Sequence, residues 1–386
     1  MELSPEFIIF VRDFAIFAAI YLIVALSLNL EYGYAGVPNF GKVLAVAGGA
    51  FVVASFPGRL IAWVFGIGPG LDYIKDNTAI VTEVNQLLMN DPAVSLAMLF
   101  ATLAVAGAVG AVLGLVACYP AIRLREDYLS ITLLAMGEAI QVIGYNYPPI
   151  AKGNIGVLVP DPFRWAGDFR YAVIAVFVVA ICMLVFFYQE RLVRSPLGRM
   201  LRAIRDNEEV AESLGKDTTR IRMKAIIVAS VIGAIAGGMD GFKKGGIIAT
   251  SYQRTSWTFW PWVIVILGGA ANNTGVVVGT LAFAALRRFI DYYKGQLAPF
   301  VPFSVVWLEP LLLGIMLILV QMYRPEGIIR EKPTPTLGYK RLKRFVSPRS
   351  SDSNSKKNVP LLNRLTSSLS YIWKKTSALK RRDSAS

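Results

Sequence analysis

The sequence predicts an all-α fold, a polytopic bundle of about 8–10 transmembrane helices. Of the 386 residues, 55% are hydrophobic and only 17% are charged, and the mean hydropathy is +0.51. Soluble domains carry about 25% charged residues, so this chain has too few for a soluble surface. Apolar runs of helix-spanning length also recur along the chain. The first run exceeds a signal-peptide core and lacks a basic leader, which indicates a first span.

Nine apolar runs are candidate spans. They lie at 7–30, 40–66, 93–118, 128–146, 171–189, 223–242, 256–271, 274–290 and 304–323. With the basic C-terminal end inside, nine crossings place the N-terminus outside, and the acidic connection 67–92 fits the outside as well. Lys243, Lys244 and Arg254 then also fall outside, which conflicts with the positive-inside rule and makes the span count around 240–290 the least certain.

The chain divides by charge into a transmembrane domain, 1–325, and a basic, flexible tail, 326–386. The formal net charge is +14, and Arg324–Ser386 holds 16 Lys or Arg against 4 Asp or Glu. Such a tail on a membrane protein predicts a cytoplasmic location and contact with anionic lipids. No aromatic-basic module accompanies it, so nucleic-acid binding is not expected. Within the domain, 190–222 is predicted to be a cytoplasmic loop.

The composition argues against an enzyme. The chain has no histidine, which removes the commonest general base and metal ligand. Its two cysteines, Cys118 and Cys182, lie in apolar runs without metal-ligand spacing or a disulfide framework. We therefore predict neither catalytic residues nor a metal site.

Two glycine-rich stretches interrupt the apolar runs: EYGYAGVPNFG (Glu31–Gly41) and LGGAANNTG (Leu267–Gly275). Irregular backbone inside a bilayer is tolerated only where protein or water covers it, and paired interruptions point to a transport pathway. Tight interhelical turns are the alternative for either one. The candidate break or pathway residues are Gly33, Gly36, Asn39, Gly41, Gly268 and Gly269.

Two further pathway candidates are Glu138 and Asn154. Glu138 lies within an apolar span, where a carboxylate is costly and has either a partner, such as Arg123 or another helix, or a role in transport. Asn154 lies in the glycine-rich stretch Lys152–Pro160, which could gate the outer mouth or form a simple surface loop. Small residues at close spacing, by contrast, predict helix packing. These are Gly107, Gly110, Gly114, Gly233 and Gly237.

A charged segment, SPLGRMLRAIRDNEEVAESLG (Ser195–Gly215), separates two apolar runs. Ser195 and Pro196 are typical of a helix start, with the hydroxyl capping free amides, and Gly215 is typical of a helix end. Apolar residues recur between them at three- and four-residue steps, which predicts one short amphipathic helix. The apolar stripe consists of Leu197, Met200, Leu201, Ile204, Ala211 and Leu214.

This helix could lie on lipid or dock into a soluble partner. A lipid-binding helix favours a strongly basic polar face, whereas here acidic residues nearly balance the basic ones, which favours a protein partner. The acidic residues are Asp206, Glu208, Glu209, Glu212 and Asp217. The predicted docking residues are Arg199, Arg202, Arg205, Glu209, Ala211, Glu212 and Gly215.

The order of these motifs resembles the LivM-type permeases of branched-chain amino acid ABC importers. The matching blocks are ALSLNLEYGYAGVPNFG (Ala25–Gly41), DYLSITLLAMGEAI (Asp127–Ile140), the charged segment, RMKAIIVASVIGAIAGGM (Arg222–Met239), VILGGAANNTGVVVGTL (Val265–Leu281) and the closing YRPEGII. They run in family order over about four-fifths of the chain. One departure is Lys42 after Gly41, where family members commonly carry histidine, and the tail beyond Lys332 is unmatched.

The resemblance implies a multi-pass permease of the LivH/LivM type in the plasma membrane. Such a subunit pairs with a LivH-type second permease, two ATPase subunits bind on the cytoplasmic side, and an external substrate-binding protein delivers the ligand. The charged segment would be the coupling helix in the ATPase groove. ATP and Mg would be used by the partner ATPases, and this chain, which lacks GxxxxGK[ST], would bind no cofactor.

The expected substrates are branched-chain or other apolar amino acids. Urea or short amides are the alternative within the same machinery. An ion-coupled secondary transporter is the rival from another class, but it would need more intramembrane carboxylates than Glu138 alone. In the tail, the apolar residues of Leu361–Lys375 could form a membrane-surface helix.

Overall fold

A computed structural model of the chain describes residues 5–68, 70–124, 126–297 and 307–331. The helices are α1 (Pro5–Asn29), α2 (Lys42–Phe65), α3 (Asn77–Asn90), α4 (Pro92–Arg123), α5 (Glu126–Asn146), α6 (Pro148–Ala151), α7 (Arg170–Arg194), α8 (Pro196–Asp206), α9 (Glu208–Ser213), α10 (Thr218–Lys244), α11 (Trp260–Gly268), α12 (Asn273–Leu297) and α13 (Leu308–Tyr323). Two short strands, β1 (Val157–Leu158) and β2 (Gly246–Ile247), pair antiparallel. The predicted all-α class is confirmed. The tail from residue 332, with its predicted surface helix, lies outside the described residues.

The part of the chain that the structure describes has fewer span-length apolar helices than the nine predicted runs. Among the described residues, six helices are long and apolar enough to cross a membrane: α1, α2, α4, α5, α7 and α10. The runs predicted at 256–271 and 274–290 belong to a helix pair bent by 118°, either a broken span or a re-entrant loop. The described part of the run predicted at 304–323 forms α13, whose 16 residues are fewer than a perpendicular span needs, and residues 304–306 lie outside the described ranges. Length and composition thus give six spans, or seven with the bent pair.

Helix α10 lies at the centre of the bundle, packed against α2 and α4. Glycines permit this packing: a Cβ on Gly237 would lie 1.9 Å from the carbonyl oxygen of Val46 in α2. On the α4 side, a Cβ on Gly110 would lie 2.5 Å from that of Ala234. Small residues let helix backbones approach in this way. The packing role predicted for the small-residue stripes is confirmed within this chain.

Gly237→Ala is expected to destabilise the bundle by about 1–3 kcal/mol, because the added methyl group meets backbone that cannot move aside. The matched control is Gly107→Ala, whose Cβ would lie an ordinary 3.5 Å from Val231 Cγ1. Thermal unfolding of the detergent-solubilised protein measures both. A Gly237→Ala melting temperature equal to that of Gly107→Ala would contradict the close crossing.

The connections predicted to lie outside meet at one end of the bundle. The Leu158 N–H donates to Asn77 Oδ1 at 2.7 Å, and Lys152 Nζ donates to the carbonyl oxygen of Ile74 at 2.7 Å. The β1–β2 pair joins the same end. Helix α3 in this region was not predicted from the sequence. Its buried positions are Ile80, Val81, Val84 and Leu88.

Candidate functional site

The first predicted break is present. Helix α1 passes into a π-helical turn, Leu30–Tyr34, and the chain is then non-helical as far as Gly41. Such turns are frequent at functional sites. Gly36 has a φ of +70°, a conformation that favours glycine. A Cβ on Gly33 would lie 2.5 Å from the backbone nitrogen of Ala271. The backbones of the two breaks therefore pack directly against each other at this glycine.

The second break separates α11 from α12, and its Gly269 has a φ of +109°. The segment after α13, which we call the closing segment (Arg324–Glu331), lies across this break. The N–H of Ile329 donates to the carbonyl oxygen of Gly268 at 3.0 Å. The body of the protein therefore continues past the predicted boundary at residue 325.

Two asparagines hold the breaks together. Asn29 Oδ1 accepts from the Ala271 N–H at 2.8 Å, and Asn29 Nδ2 donates to Asn273 Oδ1 at 3.1 Å. Asn273 Nδ2 donates in turn to Glu190 Oε2 at 3.0 Å. Glu190 lies at the end of α7, just before the charged loop. A series of hydrogen bonds between side chains therefore connects the charged loop to both breaks.

A buried ion pair stabilises the first break. Lys42 Nζ lies 3.2 Å from Glu31 Oε2, and both side chains are fully buried. Asn39 Nδ2 donates to the same oxygen at 3.0 Å, and Lys42 also donates to the carbonyl oxygen of Ala229 at 3.1 Å. Asn39, predicted as a pathway residue, is thus a buried partner of Glu31. The negative charge of the Glu31 carboxylate and the positive charge of the Lys42 ammonium thus compensate each other across the first break.

The charged segment forms two helices, α8 and α9, instead of the one predicted. Asn207, with φ of −161°, interrupts the helix, and its side chain caps α9 by accepting from the Val210 N–H at 3.0 Å. Ser195 stands at the predicted N-terminal position, but its hydroxyl donates to the Leu192 carbonyl oxygen at 2.6 Å and caps no amide. Gly215, with φ of +74°, follows the last turn as predicted.

Arg205 joins α8 to both breaks. Its Nη1 donates to the carbonyl oxygen of Gly33 at 2.6 Å, and its Nη2 pairs with Glu331 of the closing segment at 3.0 Å. It also pairs with Asp206 at 3.1 Å. Burial acts to lower the pKa of Arg205, but the hydrogen bonds and charges of Glu331 and Asp206 outweigh it and raise the pKa. Arg205 therefore contacts its own chain.

The other predicted docking residues divide by exposure. Arg202 donates to the Val193 carbonyl oxygen at 2.9 Å and lies over the Tyr34 ring, so it too faces inward. Ala211 is buried against the bundle in this chain, whereas Leu214 of the predicted apolar stripe is 72% exposed. The predicted docking residues that stay exposed are Arg199, Glu209, Glu212 and Gly215.

Glu138 has a partner on another element. Its Oε1 lies 3.0 Å from Nη1 of Arg254, and both side chains are partly exposed. The suggested partner Arg123 instead lies over the Tyr119 ring. Arg254 and Lys244, two of the three residues that conflicted with the predicted topology, thus have acidic neighbours, since Lys244 pairs with Asp240 at 2.6 Å.

Asn154 is exposed near the C-terminal end of α5, with its Nδ2 3.4 Å from the Tyr145 hydroxyl. The sequence analysis did not predict the polar residues that join the two breaks to each other, to the charged loop and to the closing segment. They are Asn29, Glu31, Glu190, Asn273 and Glu331. Polar residues inside or beside an apolar run were the available signal. Within the described ranges, no three potential metal ligands gather.

The chain matches the family model described as the permease component of the branched-chain amino acid transport system over residues 10–321. It is 40% identical over 320 residues to a probable branched-chain amino acid transport permease protein LivM from Methanocaldococcus jannaschii, covering 82% of this chain and 92% of the relative. It is 25% identical to the high-affinity LivM permease protein of Salmonella typhimurium, covering 82% of this chain and 69% of that relative.

A LivH permease protein of Methanocaldococcus jannaschii is 24% identical, covering 72% of this chain and 79% of the relative. No solved structure matches the chain. The family match spans most of the described bundle, including both breaks and the charged loop. The chain therefore belongs to the permease component family of branched-chain amino acid transport systems.

Proposed function

We propose that this chain is one permease subunit of an ATP-driven ABC importer for branched-chain or other apolar amino acids. Its family and its LivM relatives support the transport of branched-chain amino acids. Similarity to both a LivM and a LivH protein of one archaeon supports pairing with a LivH-type second permease. The pathway runs between the two permeases, an external binding protein delivers substrate, and two ATPase subunits use ATP and Mg.

The observation that carries this proposal is the connection between the α8–α9 loop and both breaks. The loop presents exposed apolar side chains, Val210 and Leu214, among exposed charges. The inner face of the same loop binds the first break through Arg205. Movement of a docked ATPase would therefore be transmitted directly to the irregular backbone within the bundle. We assign the exposed surface around Val210 and Leu214 as the ATPase-docking surface.

Charge supports a cytoplasmic position for this surface. The Arg205–Glu331 pair places the closing segment, which leads into the basic tail, at the same end of the bundle as α8. Positively charged segments favour the cytoplasmic side. The docking loop and the tail are therefore assigned to the cytoplasm, and the β1–β2 end to the outside.

Replacing Val210 and Leu214 together by glutamate is expected to abolish copurification of the ATPase subunits from cells that express the complete importer. The change places two charges in a surface that the partner must desolvate, which costs several kcal/mol. The matched control is Ile155→Glu, because Ile155 is 78% exposed but lies in the loop between α6 and β1. Normal ATPase copurification and uptake in the double variant would contradict the assigned surface.

A further inference from the structure

The Glu138–Arg254 pair lies on the surface of the bundle, and its Glu138 belongs to a spanning helix. Glu138 is near the middle of the span Tyr128–Asn146, and the two side chains are 38% and 48% exposed. Charged side chains at mid-membrane are costly against lipid, and they face protein or a water-filled cavity instead. This face of the chain is therefore not a lipid-facing surface.

The rest of the face combines mostly apolar side chains on α5 with polar side chains on the neighbouring segment. On α5, exposed or half-buried residues recur at three- and four-residue steps and so share one side of the helix. They are Ile131, Ala135, Glu138, Val142 and Tyr145. The turn Ala249–Ser251 packs against α5 and leads into the segment that carries Arg254. That segment exposes the polar side chains Ser251, Gln253 and Thr255.

We propose that Glu138 and Arg254 bind the charged backbone groups of an α-amino acid on the translocation pathway. This inference rests on the proposed function and specifies the substrate-recognition groups of that pathway. The Glu138 carboxylate accepts hydrogen bonds from the substrate ammonium, and the Arg254 guanidinium donates to the substrate carboxylate in its planar fork geometry. One ion pair opens and two form, so the zwitterion replaces the lost contact.

The charge of the substrate decides the fit. A zwitterion offers one group to each member of the pair, whereas urea and short amides carry no charge and would leave both members of the opened pair without an ionic partner. The exposed apolar side chain of Val142, one turn after Glu138 on α5, supplies a contact for an apolar substrate side chain. The pair thus favours amino acids over neutral amides.

The test uses the complete importer reconstituted in liposomes with its binding protein. Glu138→Gln and Arg254→Gln are each expected to lower leucine uptake about tenfold or more, and the double variant is expected to be no better than either. A merely structural pair predicts the opposite for the double variant, since it leaves no unpaired charge. Arg254→Lys, which keeps the charge and loses the fork, should raise KM more than it lowers kcat.

The matched control is the double variant Glu83→Gln with Arg164→Gln, which neutralises the same two residue types at exposed positions outside this face. Size-exclusion chromatography and ATP hydrolysis verify assembly. Leucine uptake within twofold of wild type in the Glu138→Gln, Arg254→Gln double variant would overturn the inference while leaving the proposed function intact. A wild-type importer that takes up urea but not leucine would overturn both.

Discussion

Replacing Lys42 by methionine is expected to destabilise the bundle by about 3–5 kcal/mol. The substitution keeps an apolar stem of similar length but removes the ammonium that lies 3.2 Å from Glu31 Oε2. Glu31 would then retain a fully buried charge with Asn39 as its remaining side-chain donor. Breaking a buried pair costs more than the pair contributes, because the surviving charge is left without compensation.

The second variant removes both charges. Glu31→Gln with Lys42→Met keeps an oxygen that can accept the Asn39 amide at the position of Glu31 Oε2. Because no buried charge remains, this double variant should recover most of the stability lost in Lys42→Met. Thermal unfolding of the detergent-solubilised chain measures both. Equal melting temperatures for wild type and Lys42→Met would show that the pair does not stabilise the fold.

Hydrophobic periodicity predicted the positions of the helices better than the way in which they cross the bilayer. Each of the nine predicted runs overlaps a helix of the structure, because length and apolarity are properties of the local sequence. The 118° bend between α11 and α12 is not local. Asn29, on a distant helix, accepts a hydrogen bond from the Ala271 N–H within this break. The hydrophobic pattern of one segment carries no information about its contacts with a distant helix.

The candidate site was predicted in position but not in its contacts. The two breaks and the charged loop were located from glycine and charge patterns. Which residues face inward was not predictable, because the interruption at Asn207 divides the segment and changes the face that follows it. Ala211 is consequently buried and Leu214 exposed. Arg205 carries a charge typical of a solvated face, yet it binds a backbone carbonyl of the first break.

Replacing Arg205 by alanine is expected to uncouple ATP hydrolysis from uptake. Arg205 joins α8 to the first break through the Gly33 carbonyl oxygen and to the second break through Glu331 on the closing segment. Hydrogen bonds to a charged group contribute about 1.5–3 kcal/mol each, so their loss weakens the transmission of ATPase movement by tenfold or more in rate. The exposed docking surface around Leu214 remains unchanged, so the ATPases should still bind.

The expected result for Arg205→Ala is normal ATPase copurification and ATP hydrolysis with at least about tenfold lower leucine uptake. Arg205→Lys keeps the charge but has one nitrogen in place of the two, Nη1 and Nη2, that reach the Gly33 carbonyl and Glu331, so uptake should fall between wild type and alanine. Arg220→Ala is the matched control, because Arg220 lies at the start of α10, just after the same loop, and its side chain is 81% exposed. Equal uptake in the two alanine variants would show that Arg205 does not transmit the movement, whereas loss of ATPase binding in Arg205→Ala alone would assign it to docking.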